Sequence, residues 1–344
     1  MFRRLLVPLD GSPAAERAIP VAASLVRRSA GSLVLLHIIA PETALKSTIA
    51  SSSSTADLHG DQKEISYTEA IERVMAEAAI YLTTLPIRYA EELAGLSVEM
   101  DIAFGMTSPT LPSTVRIEHI DLVVLCRDRE VGLDQWGLES VTQHMMRQSP
   151  VPLLILNKQE KQFPVLDGSC PVRILVPLDG SLFAEAALEP ALKLLAQCTG
   201  SELCLLHVVD LFMNEPTEDE EERIKLHAAG PLRQQALRYL QAVAERLRTQ
   251  AECGSDVHIT CLVTSGADVA NSILKLRALA TTSELTTTSF IALATHGREG
   301  IQRQAVGSIA EQLLCTTTSP LLTICPGAAA TERLQSLLPA KRRN

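Results

Sequence analysis

Aromatic residues make up only 3% of the 344 residues, with a single tryptophan. A base-stacking surface for single-stranded nucleic acid needs such rings. The formal net charge of −9 likewise provides no basic field for phosphate backbones or anionic lipid. No apolar run approaches the roughly 20 residues of a membrane-spanning helix. Met1-Phe2-Arg3-Arg4-Leu5-Leu6-Val7-Pro8 shows no signal-peptide cleavage pattern. Nucleic acid and membrane are therefore not expected partners, and the cytoplasm is the expected compartment. Eight cysteines are present, but without a Cys-x-x-Cys pair or close spacing to histidine. Cys126, Cys204, Cys261 and Cys325 lie in apolar runs and read as reduced core thiols, so neither disulfides nor metal ligands are expected. There is no Gly-x-x-x-x-Gly-Lys loop, which excludes a fast P-loop ATPase and leaves slow hydrolysis at most. A phospho-receiver would need an acidic residue ending its third strand, and Ile102-Ala103-Phe104 and Leu262-Val263-Thr264 provide none.

What the chain does contain is a repeat. Leu6-Val7-Pro8-Leu9-Asp10-Gly11-Ser12 recurs, identical, as Leu175-Val176-Pro177-Leu178-Asp179-Gly180-Ser181. The register continues: Leu35-Leu36-His37-Ile38-Ile39 matches Leu205-Leu206-His207-Val208-Val209, and the segment from Ser149 matches that from Ser319. Two tandem copies of one domain follow, at 1–158 and 171–327, with a linker near 158–171 and a tail at 328–344. With 46% hydrophobic and 21% charged residues, each copy can bury its own core.

Each copy alternates apolar strands with helical spacing. In the first, strands are expected at 4–9, 32–39, 97–103, 121–126 and 152–156. Its helices are expected from Pro13, capped by Ser12, to Arg28; from Ile65 to Leu93, bent or interrupted near Pro86; at 111–118; and at 139–148. In the second, strands are expected at 173–178, 201–209, 256–263, 289–294 and 321–325, with helices at 182–198, 222–251, 267–281 and 308–316. The serine-rich stretch in 40–63 and the acidic run Glu215–Glu222 read as loop and solvated edge. This alternation predicts an α/β fold of two doubly wound domains. Each is a five-stranded parallel sheet of order 3-2-1-4-5 with helices on both faces. Ligands of such sheets bind at the strand C-termini where the order reverses, between strands one and four.

In the second copy that crevice receives Asp179 from the first strand. The fourth strand brings Phe290-Ile291-Ala292-Leu293-Ala294, followed by Thr295-His296-Gly297, nine residues and Gly307-Ser308 opening a helix. A glycine loop running into a helix N-terminus presents bare amides and a positive dipole end to one point, which suits a phosphate. Ser308 can add a hydroxyl, and Arg298 and Arg303 lie in the loop. Taken alone, Asp179 reads as a turn former; paired with the glycine loop it reads as a hydrogen-bond acceptor for a ligand.

These stretches resemble the universal stress protein family. That family's nucleotide loop runs Gly, two residues, Gly, nine residues, Gly, Ser/Thr. Here the positions are Ala294, Gly297, Gly307 and Ser308, so alanine replaces the first glycine. The resemblance covers nearly the whole chain. It implies the adenine nucleotide alpha hydrolase-like (HUP) fold and an adenine nucleotide as cofactor, with ATP, AMP and cyclic nucleotides undecided and magnesium as an accompanying ion. By position, Asp179 and Val208 would contact adenosine, Leu293 and Ala294 would line the adenine side, and Gly297, Gly307, Ser308 and Ile309 would hold ribose and phosphates. His207 reads as a core histidine. His296 has no triad partner, so no catalytic residue is named.

The first copy keeps Asp10 and Ser140 but carries Arg129 and Glu139 where Gly297 and Gly307 stand. A side chain at the one would crowd a phosphate and a carboxylate at the other would repel it, so this copy is expected not to bind. The apolar fifth strands are expected to pair, making the two copies a dimer-like unit within one chain; a further homodimer and a protein partner remain open. The resemblance implies a nucleotide-binding stress-response regulator or protectant. The alternative is a nucleotide-free interaction scaffold of the same fold.

Overall fold

The computed structural model describes residues 1–43, 67–127, 141–159, 166, 168, 170–196, 198–209, 221–249, 257–280, 288–295 and 307–326. In the first half, β1 (Arg4–Leu9), α1 (Pro13–Glu16), α2 (Ala18–Ser29) and β2 (Ser32–Ile39) are followed by α3 (Tyr67–Arg88), α4 (Ala90–Leu93) and β3 (Ser97–Phe104). Next come α5 (Thr107–Ile117), β4 (Leu122–Arg127), α6 (Val141–Gln148) and β5 (Leu153–Asn157). The second half repeats the plan with β6 (Val172–Pro177), α7 (Leu182–Glu185), α8 (Leu188–Leu195), β7 (Glu202–Val209), α9 (Glu221–Thr249) and β8 (His258–Ser265). It closes with α10 (Val269–Ala280), β9 (Thr288–Ala294), α11 (Ser308–Thr316) and β10 (Leu321–Ile324).

The ten strands among the described residues form one sheet of order β3-β2-β1-β4-β5-β10-β9-β6-β7-β8. Each half therefore has the expected 3-2-1-4-5 order. The halves join where β5 and β10 run antiparallel, Leu154 opposite Leu322, while every other pairing is parallel. Central strands are almost wholly apolar because helices cover both faces. On one face α2, α3, α8 and α9 pack residues such as Ile19, Leu85, Leu194 and Leu240 against Leu5, Leu35, Ile174 and Leu205. On the other, α5, α6, α10 and α11 pack Leu111, Met145, Ile273 and Leu313 against Leu6, Leu36, Leu206 and Ile291. Both layers run continuously through the two halves.

Four helix expectations change. The helix from Pro13 to Arg28 is two, α1 and α2. Pro20 has no N–H to give the Glu16 carbonyl and its ring crowds that carbonyl, so α1 stops at Glu16. Pro190 does the same to Ala186, splitting α7 from α8. The third helix continues through Pro86 and breaks instead at Tyr89 (φ −113°, ψ 38°). The helix expected from 111 starts at Thr107, because Pro109 falls in its first turn, where a missing N–H costs nothing. The acidic run ends inside α9 at Glu221 and Glu222; its earlier residues lie outside the described residues, as do the serine-rich stretch and the tail.

Candidate functional site

The parallel ladders set the site. β6 lies between β7 and β9, so the C-terminal ends of three adjacent strands point the same way. Asp179 follows β6, Val208 is near the end of β7, and Leu293 and Ala294 end β9. The structure thus brings these four expected residues to one edge. Leu293 is buried, while Val208 and Ala294 are half-buried there.

Asp179 is held in a tight turn. Ser181 donates to its Oδ1 twice, from the backbone N–H at 2.8 Å and from Oγ at 2.6 Å. Gly180 between them has φ +87°, a conformation that costs glycine nothing. Ser181 Oγ also accepts from the Ala184 N–H at 3.1 Å and so caps α7. The turn role and an acceptor role are compatible, because a carboxylate offers about four lone-pair sites. The first half builds the same turn, with Ser12 N–H donating to Asp10 Oδ1 at 2.8 Å.

At the same sheet edge is the N-terminus of α11. Thr295, just past β9, is fully buried; its N–H donates to Ile324 O at 2.9 Å and its carbonyl accepts from the Gly307 N–H at 2.6 Å. The chain leaves the sheet at Thr295 and returns to the same point at Gly307. Gly307 is the N-cap residue and supplies no side-chain cap. The first helical bond is Glu311 N–H to Gly307 O at 3.0 Å, so the amides of Ser308, Ile309 and Ala310 precede it. Ser308 is exposed and Ile309 half-buried. Gly297, His296, Arg298 and Arg303 lie outside the described residues, as do Arg129, Glu139 and Ser140 of the first half.

A buried ionic cluster beside each Asp turn was missed by sequence reasoning. In the second half Glu185, 5% exposed, accepts from Tyr239 OH at 3.0 Å and is ion-paired with Arg246. Tyr239 packs against His207, ring centroids 6.3 Å apart. Burial, then the Glu185 charge and bond, then Asp179, hold the Tyr239 proton well above the usual phenol range. In the first half Glu16, 3% exposed, accepts from Arg88 at 2.6 and 2.7 Å and from Tyr89 OH at 3.1 Å. His37 lies 5.4 Å from Tyr81, and burial lowers its pKa against the opposing pull of Asp10. The signal was in the repeat: Asp-Gly-Ser is followed four residues on by glutamate in both copies, at Glu16 and Glu185. Among the described residues, no three acidic, histidine or cysteine side chains gather as a metal ion would require. Nor is any described helix long and apolar enough to cross a membrane.

Comparison with known proteins agrees with this architecture. The family model described as the universal stress protein family matches twice, over residues 1–157 and 172–324. No curated protein gives a significant match. Among solved structures, a universal stress protein from Archaeoglobus fulgidus DSM 4304 is similar with TM-score 0.59 and 17% identity, over 95% of this chain and 97% of that one. A candidate universal stress protein from Pseudomonas aeruginosa UCBPP-PA14 gives TM-score 0.52 and 16% identity, over 98% and 97%. A functionally unknown protein from Pseudomonas aeruginosa PAO1 gives 0.52 and 15%, over 98% and 96%. At such identities these structures speak for the fold alone, but the family match spans both halves. This chain belongs to the universal stress protein family.

Proposed function

We propose that the second half binds an adenine nucleotide, ATP first, and that the protein serves as a nucleotide-binding stress-response regulator or protectant. One observation carries this reading: the uncapped α11 amides of Ser308, Ile309 and Ala310 lie at the same sheet edge as the Asp179 carboxylate. Bare amides at a positive dipole end suit phosphates, and a carboxylate suits ribose hydroxyls or an amino group. Half-buried Val208 and Ala294, with Leu293, offer an apolar wall for the base. Gly297 completes the loop in this reading. Magnesium would ride on the phosphates, and no protein ligand is assigned to it.

The chain's own residues bind and orient; among the described residues none is placed to move a proton at a phosphorus centre, and in this reading turnover is slow at most. The first half, with Arg129 and Glu139 in its loop, does not bind and acts as a pseudo-dimer partner across β5 and β10. Domain limits at 1–158 and 171–327 belong to the same reading. A nucleotide-free scaffold is the second reading, favoured by Ser181 already engaging Asp179 Oδ1 twice.

The discriminating measurement is a melting scan with and without Mg-ATP, repeated on Gly307→Glu, which copies the first half's Glu139 into the second. A ligand at 100 times its Kd adds about 2.7 kcal/mol. The parent midpoint is expected to rise and the variant's to stay put; AMP and cyclic AMP arms rank the ligands. Equal gains in parent and variant would remove the site assignment, and no gain in either would leave the scaffold.

A further inference from the structure

We propose that the second half holds a separate oxyanion pocket at the opposite end of its sheet from the nucleotide crevice, built by Arg173, Arg277 and Ser289. A small cleft, open at its mouth, lies at the start of β6 and β9 beneath the last turn of α10. Leu175, Leu262 and Leu276 make its apolar wall, and the two arginines give it charge. Ser289 is 6% exposed, and its Oγ has no hydrogen-bond partner among the described residues. A buried hydroxyl without a partner is destabilising, because its lost hydration is not replaced. An oxyanion in the cleft would relieve that cost.

The first half shows what this position does when it is closed. Arg4 corresponds to Arg173, and it is enclosed by acids. Its Nη1 and Nη2 donate to Glu99 at 2.6 and 2.8 Å, and Nη2 also donates to Glu118 at 2.8 Å. Asp121 stands beside it and accepts from the Arg3 and Arg4 N–H groups. The ladders give the equivalents. Leu5 pairs with Leu122, which sets Asp121 beside Arg4 as Ser289 is set beside Arg173. Val34 pairs with Glu99 as Cys204 pairs with Thr260. Two carboxylates of the first half are therefore hydroxyls in the second. The one described acid near Arg173 is Glu202, 3.2 Å from Nε, and Thr260 Oγ1 donates to it at 2.6 Å. No described residue takes a hydrogen bond from the Arg173 Nη atoms. Two guanidinium groups and a hydroxyl lining one cleft suit a tetrahedral oxyanion, either inorganic phosphate or the head of a small phosphomonoester. The negative dipole end of α10 opposes an anion there, so the binding is weak.

The test is calorimetric titration of the full chain with sodium phosphate at constant ionic strength, with glycerol 1-phosphate as a second arm and sodium chloride as the blank. Saturable binding above the blank is expected. Thr260→Glu, which restores the carboxylate that Glu99 supplies in the first half, should weaken it about tenfold, or 1.4 kcal/mol. Arg277→Gln, a second variant that adds no charge near Glu202, should weaken it as well; circular dichroism checks that each variant is folded. Gly307→Glu removes phosphate binding at the nucleotide crevice, so the saturable binding that survives in it is the pocket's. Tighter binding of either phosphate or the ester supports the pocket and identifies the source. Three results overturn it: no saturation above chloride, loss of all saturable binding in Gly307→Glu, or parental affinity in both Thr260→Glu and Arg277→Gln.

Discussion

A single imidazole gives this protein a calculable pH response. His37 is held against Tyr81 beside the Asp10 turn, and burial lowers its pKa more than Asp10 raises it. The unfolded chain takes up that proton near about pH 6.5, the folded chain only at lower pH. Between those two values the unfolded state carries more protons. Stability contributed by His37 is thus present above the unfolded pKa and lost as pH falls through the folded one. Urea midpoints measured from pH 7 down to pH 5 should fall more steeply for the parent than for His37→Gln. Parallel profiles would mean that the imidazole is equally solvated in both states. The residue scale also shows what a sequence hides. Asp179 was visible because a repeated Asp-Gly-Ser turn has a local chemistry. The partners of Glu185 were not, since Tyr239 and Arg246 sit 54 and 61 positions away on a helix whose own spacing gives no sign of them.

At the scale of elements, the two Asp-Gly-Ser turns make a natural pair of experiments. Ser12 Oγ accepts from the Ala15 N–H at 3.2 Å and caps α1. Ser181 Oγ caps α7 and in addition donates to Asp179 at 2.6 Å. Loss of a serine cap costs about 1 kcal/mol, and a hydrogen bond to a charged acceptor adds about 1.5 kcal/mol or more. Ser181→Ala should therefore destabilise the chain more than Ser12→Ala in urea unfolding. Equal losses would show that the Oγ–carboxylate bond contributes nothing net. Strands were legible in the sequence because both faces are covered, leaving short apolar runs bounded by turns. Helix ends were less so. The break before Pro20 depends on a carbonyl four residues back, and the start at Thr107 on tolerance of Pro109 in a first turn. Of the candidate site, both ends of the glycine loop were legible; the pinning of Thr295 to Gly307 was not, because it needs the loop closed in space.

On the scale of the whole molecule, the question is whether two halves of one repeated pattern unfold as one. Leu154 and Leu322 face each other at the centre of the β5–β10 junction, at 0% and 1% exposure, within a core layer that includes residues of both halves. Further ties cross the junction: Asn157 Nδ2 donates to Thr317 O at 3.1 Å, Arg127 donates to Leu314 O, and Cys325 Sγ donates to Arg147 O at 3.0 Å. A continuous sheet with continuous apolar layers couples its parts, because opening the junction alone would expose large leucine surfaces, each worth about 1.5–3 kcal/mol. Cys126 reports on the first half, and Cys204 and Cys261 on the second. Pulsed thiol labelling across a urea series should therefore find all three reactive at one midpoint in the parent. Leu322→Asp places an uncompensated carboxylate in that layer, at a cost of about 3–5 kcal/mol. In this variant the labelling should separate, with Cys204 and Cys261 exposed at lower urea than Cys126, because β10 belongs to the second half. Separate midpoints already in the parent would mean that the halves fold independently and the shared layer does not couple them. A single shifted midpoint in the variant would mean that coupling extends beyond the junction into ties such as Asn157 to Thr317.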